Sequence, residues 1–169
     1  LLIGESIIDQ YTFSDAIGKS SKEPFLVVRE KNEKKFIGGI LSIGQLMSSF
    51  VKSLTIITFL GDKKENISFI KNRLNKNIKL KFLTKKDSPT IIKNRIIDNY
   101  SKRNLLGLYK YNNDEISKNE ERSLINQIKN EIKRNQQVLL SDFGHGMITK
   151  KVANIFSKIK NFSSLNVQI

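Results

Sequence analysis

The sequence predicts an α/β fold, a three-layer sheet of mostly parallel strands with a small β flap set beside it. Three observations predict it. Short apolar, β-branched runs recur at 54–59, 78–83 and 137–141, the length and composition of buried strands. Stretches with apolar residues at helical spacing lie between these runs, and alternation of strand and helix is the pattern of βαβ units. Two segments, 11–37 and 90–111, break the alternation with β-rich runs of their own.

In chain order, Leu1-Leu2-Ile3-Gly4-Glu5 opens as a strand, and the predicted core strands are 1–5, 54–59, 78–83, 137–142 and 165–169. Four stripes mark the helices: Ile40, Ile43, Met47, Phe50 and Val51; Ile67, Ile70 and Leu74; Leu124, Ile125, Ile128 and Ile132; Val152, Ile155, Phe156 and Ile159. All four are expected to face the core. Thr149 is placed to cap the last helix, and Gly61-Asp62 and the segment 75–77 supply turn chemistry. In the run at 90–98, Lys93 and Arg95 alternate with Ile92, Asn94 and Ile96, so both cations project from one strand face. Parts of 11–37 and 90–111 are expected to form an antiparallel flap covering a ligand site at the strand ends.

A length of 169 residues suits one domain, and neither a repeat nor a linker divides the chain. With no cysteine, a disulfide framework and a thiolate zinc site are excluded, and the single histidine, His145, cannot anchor a histidine cluster. No apolar stretch approaches the roughly 20 residues that span a bilayer, so no membrane partner is expected and the protein is read as cytoplasmic. The net charge of +14 raises a nucleic-acid partner, but the cations are scattered among Asn, Ser and Ile, usually near an acid, which is the pattern of a solvated surface. Lys76, Lys79, Lys81, Lys85 and Lys86 form the best candidate basic patch, and it lacks interleaved aromatics.

Five motifs carry chemistry. Gly4-Glu5-Ser6-Ile7-Ile8-Asp9 sets a glycine and two carboxylates after the first strand, and Gly38-Gly39 precedes a helical pattern, where backbone can approach a ligand and free N–H groups can meet a hydroxyl or anion. Then come Gly61-Asp62, the run Pro89-Thr90-Ile91-Ile92-Lys93-Asn94-Arg95, and Ser141-Asp142-Phe143-Gly144-His145-Gly146. This series, in this order, resembles the ribokinase-like (PfkB-type) carbohydrate kinases, most closely the kinase domain that phosphorylates heptose 7-phosphate. The resemblance covers essentially the whole chain and about the first half of such a kinase.

The resemblance implies that Asp9 binds sugar hydroxyls and that Gly38 and Gly39 shape the sugar pocket. Ser42 and Gln45 are the polar candidates where the family usually has an Asn. Lys93 and Arg95 would face a phosphorylated substrate, Asp142 the substrate or an associated cation, and His145 would lend a hydrogen bond. Close heptose kinases carry Arg and Asp in the second flap strand, where this chain reads Leu106-Gly107-Leu108-Tyr109, and Lys at the position of His145, which points to a divergent branch. The family's catalytic Asp, in a Gly-Ala-Gly-Asp run, has no counterpart here. Its base and ATP pocket are expected beyond Ile169, and the 169 residues alone are expected to be inactive and to bind no cofactor.

The expected function is thus the acceptor-recognition part of an ATP- and Mg2+-dependent sugar or sugar-phosphate kinase, with a homodimer through the flap compatible with it. The alternatives are an inactive sugar-binding module, a kinase-like domain fused to a nucleotidyltransferase making an activated sugar, and, less favoured, a nucleic-acid-binding domain.

Overall fold

The computed structural model describes residues 1–63 and 66–168. In chain order the elements are β1 (Leu2–Gly4), β2 (Ser6–Lys19), β3 (Leu26–Gly39), α1 (Ile40–Met47), β4 (Leu54–Gly61), α2 (Ile67–Lys71), β5 (Ile78–Lys85), β6 (Ile91–Asp98), β7 (Asn104–Lys110), α3 (Lys118–Ile132), β8 (Gln137–Asp142), α4 (Lys150–Phe156) and β9 (Phe162–Val167). Five strands make the core sheet in the order β5-β4-β1-β8-β9, every neighbouring pair parallel. The last expected strand falls on β9, except that Ile169 lies outside the described residues.

Alternation along the core strands sends side chains to opposite faces, and the core accordingly divides in two. Leu1, Ile3, Ile57, Phe59, Val138 and Leu140 meet Leu124 and Ile128 of α3 and Val152 of α4 on one face. Leu2, Leu54, Ile56 and Leu60 meet Ile40 and Leu41 of α1 and Ile70 of α2 on the other. Helices on both faces make the three layers. α3 begins with a capping box, in which Ser117 Oγ accepts from the Glu120 N–H and Glu120 returns a carboxylate to the Ser117 N–H. Thr149 caps α4 by accepting from the Val152 N–H, as its position predicts.

Two expectations about the core need correction. The first helical stripe does not run on through Phe50: α1 ends at Met47, and Phe50 is 76% exposed. Ser48 Oγ donates to the Gln45 carbonyl, local bonding that competes with helix continuation. The candidate basic patch also breaks up. Lys85 is buried and donates to two backbone carbonyls, and Lys81 is paired with Glu131, so these two lysines belong to the packing.

The flap is a second sheet, β3-β2-β6-β7, in which β2 pairs antiparallel with β3 and parallel with β6, and β6 pairs antiparallel with β7. It is larger than expected. Two 14-residue strands form its heart, and β2 starts at Ser6, with Glu5 alone between it and the end of β1. Asp9 therefore sits within a flap strand and not at the end of a core strand. The base of the flap is anchored, because Ile8 is fully buried in the α1 side of the core with Ile37 and Ile92 packed against it. Among the described residues, no helix is long and apolar enough to cross a membrane.

Candidate functional site

Pairing register places the flap's functional side chains. Asp9 lies opposite Phe36 on β3 and Lys93 on β6, and Lys93 lies opposite Tyr109 on β7, so the four share a face of the flap. One step along the same face, Tyr11 lies opposite Arg95. Arg95 Nη1 donates to Asp9 Oδ1 at 2.8 Å and sits 5.5 Å from the centre of the Tyr11 ring, which itself packs edge-on against Phe36. Asp9 Oδ2 rests on Gly38, where an added methyl group would strike it. Arg95 thus spends its charge on Asp9 and holds that carboxylate in place. Lys93, half-buried in the next row, has no carboxylate partner among the described residues.

Gly39 is the N-cap of α1 with φ 57°, in the left-handed region, and a Cβ there would meet the Glu5 carbonyl oxygen. That same carbonyl accepts the Ile40 N–H at 2.9 Å, so one of the N–H groups expected to be free at the Gly-Gly turn is already used. Ser42 Oγ donates back to the Gly39 carbonyl.

Glu5 was not among the site residues expected from the sequence, yet it joins the motifs physically. Its side chain is buried, and its carboxylate accepts the Phe143 N–H at 2.9 Å and, more weakly, those of His145 and Met147. Burial pushes its pKa up, which the N–H donors oppose and neighbouring Asp142 reinforces. One residue therefore ties the start of α1, through its carbonyl, to the loop after β8, through its carboxylate. A signal existed. A glutamate between Gly4 and Ser6, inside an apolar run, must be buried with partners or not be there.

Asp142 ends β8 and accepts the Gly144 N–H at 2.9 Å. Beyond it His145 is buried, with Nδ1 2.7 Å from Asn113 Oδ1 and its ring 5.5 Å from that of Tyr111. Lys85 Nζ donates to the carbonyls of Asn112 and Asp114. The strip 111–114 that leads out of the flap is thus bolted to the core by a histidine and a lysine. Burial lowers the pKa of both, and for His145 the charges of Lys93 and Lys85 lower it further while Asp142 raises it.

Asp9, Arg95 and Gly38 are thus in contact, and Gly39 and the loop after Asp142 meet through Glu5. Gln45 is the exception. Its amide pairs both ways with Asn75, which precedes β5 and so lies at the opposite end of the sheet from Lys85. A helix rise of about 1.5 Å per residue carries position 45 down α1, away from Gly39. Lys85 and Asn113 were missed because their roles depend on a strip that returns from the flap, which no local pattern encodes.

This architecture is the ribokinase-like fold of the sugar kinases. A possible 1-phosphofructokinase of Thermotoga maritima superposes with a TM-score of 0.70 at 11% identity, covering 99% of this chain and 54% of that one. Phosphofructokinase-2 of Escherichia coli, solved with fructose-6-phosphate, gives 0.66 at 15% identity over 98% of this chain and 54% of its own. In sequence, the chain is similar to the bifunctional protein HldE of Campylobacter jejuni strain RM1221, 30% identical over 169 residues, all of this chain and 34% of the relative. The chain therefore spans about a third of the length of the curated relatives it matches. No family model matches it.

Proposed function

We propose that the protein is an ATP-dependent kinase acting on a sugar or sugar phosphate, a heptose phosphate by its likeness to HldE, and that these residues recognise the acceptor. The observation that carries it is the Asp9 carboxylate, oriented by Arg95 and laid on Gly38. A fixed carboxylate accepts two hydroxyl protons and so selects stereochemistry. Lys93, on the same face, is the cation to meet a phosphate. Gly39, Ser42, Asp142 and His145 complete the crevice, with Glu5 and Arg95 as positioning residues.

Among the described residues no group of three or more His, Asp or Glu is placed to hold a metal ion. None of these side chains is therefore assigned Mg2+, and the cation that accompanies ATP belongs to the proposal for the whole protein. Its relatives are named bifunctional, which favours a second, nucleotidyltransferase activity in the same protein. A cytoplasmic location and a homodimer through the flap are part of the same reading.

The test is an ADP-release assay on the product of the full reading frame with heptose 7-phosphate, fructose 6-phosphate and free hexoses. Turnover with one class is expected. Asp9→Asn should lower kcat/KM by roughly 10- to 150-fold, the loss of a charged hydrogen bond worth about 1.5–3 kcal/mol. Sugar binding with no ADP release from any acceptor would replace the kinase with an inactive binding module.

A further inference from the structure

One atom in the crevice is unaccounted for. His145 is 8% exposed, and while Asn113 engages Nδ1, Nε2 is buried with no hydrogen-bond partner among the described residues. Leaving a buried polar atom unpaired costs about 1–3 kcal/mol, so such atoms are few and call for an occupant. His145 lines a small pocket at the C-terminal ends of β4 and β5, shared with the polar side chains of Glu5, Lys85, Ser88, Thr90 and Asn112.

The tautomer follows from Asn113. Its Oδ1 can only accept, so His145 Nδ1 carries the proton and Nε2 of the neutral ring presents a bare lone pair. A lone pair accepts from O–H and repels an anion. Among the charged groups around it, Lys85 and Lys93 oppose protonation of the ring and Asp142 favours it, with burial opposing it most. The Glu5 carboxylate is engaged by backbone N–H groups.

From this we infer that His145 Nε2 is the acceptor for one hydroxyl of the sugar, and that this corner of the site takes a neutral O–H group and not a phosphate. The inference rests on the proposed sugar site. It makes His145 a specificity-determining residue and leaves any phosphate on the substrate to Lys93.

The protein has one histidine, so a long-range 1H–15N spectrum of the 15N-histidine-labelled chain contains a single imidazole. Without ligand the ring should be protonated at Nδ1, with Nε2 in the free-acceptor position. Heptose 7-phosphate should move Nε2 toward the hydrogen-bonded position, whereas inorganic phosphate should leave it unmoved. His145→Phe should weaken sugar binding about tenfold, the worth of one hydrogen bond, and His145→Gln, which retains an acceptor, should recover part of it.

Three results would overturn the inference: a proton on Nε2, a ring whose pKa rises with inorganic phosphate, or an Nε2 already hydrogen-bonded before sugar and unchanged by it, the mark of a resident water. If the amides of Asp9 and Lys93 shift with sugar while Nε2 stays silent, only the role of His145 fails. If neither region responds to sugar, the proposed function fails and takes this inference with it.

Discussion

Glu5 and His145 hold buried ionisable groups of opposite tendency, about which the same loop is wound. Burial raises the Glu5 carboxyl above 4.5, so its contribution to stability is full below that value and is lost as pH rises through the raised one. His145 is held below 6.5, so its contribution is present above 6.5 and is lost as pH falls through the lowered value. Where the two ranges overlap, the slopes oppose each other. His145→Gln removes the rising slope, so as pH rises toward 6.5 the stability of this variant should fall relative to the parent by at most about 1.4 kcal/mol per pH unit, read as a falling thermal midpoint. A parallel pair of Tm–pH curves would show that the imidazole does not titrate differently on folding. Arg95 and Asp9 are a different case. Each is about a quarter to a third exposed, so their ion pair orients a carboxylate more than it stabilises the fold.

Among the elements, α3 is the one whose stability is most local. Its 15 residues carry Glu120 and Glu121 in the first turn and Lys129 in the last, matching the helix dipole at both ends. Ser117→Ala removes one half of the capping box and should cost about 1 kcal/mol by chemical denaturation, with an unchanged m-value. No loss would mean that water replaces the cap. The elements also show what a sequence makes legible. β4 is readable because a fully buried parallel strand is a continuous apolar run, β5 and β8 because they are short stretches rich in Ile, Leu, Phe and Val, and α3 because Leu124, Ile125, Ile128 and Ile132 keep a helical period. β2 and β3 hide most of their length. Their outer halves are exposed, rich in charge and free of a single apolar face, so only pairing with each other defines them. Asp9, the Gly-Gly turn and Asp142 were legible through their motifs. Glu5 left only the signal of a carboxylate in an apolar run, and Lys85 and Asn113 left none, since the partners of all three are brought in from distant parts of the chain.

The two sheets are joined where the chain crosses between them: at Glu5, at Gly39, along 86–90 and along 111–114. Three of those crossings are fastened by side chains, with Glu5, Thr90 and Lys85 each bonding backbone that belongs to another crossing or strand. The flap is therefore held over the crevice as a body and not hung from one hinge. At the other side of the molecule β9 is an edge strand with all six residues exposed, Phe162, Leu165 and Val167 among them. An apolar edge recruits other strands. The 169-residue chain should associate in a concentration-dependent way by light scattering after gel filtration, and Leu165→Lys should reduce that association at little cost in stability. A monomer at all concentrations would show that this edge is inert.

The place of β1 has a consequence for how the protein comes into being. Leu2 pairs with Ile56 on one side and with Leu139 on the other, and β2 pairs with β6 across a comparable span of chain. During synthesis β1 leaves the ribosome before both of its partners and can gain its first neighbour once β4 has emerged, but its second flank stays bare until β8 does. Pairings this distant in sequence close late and slowly. The nascent chain therefore carries an open, apolar strand edge from the emergence of β1 until that of β8, an interval in which the centre of the sheet is open to pairing with other strands.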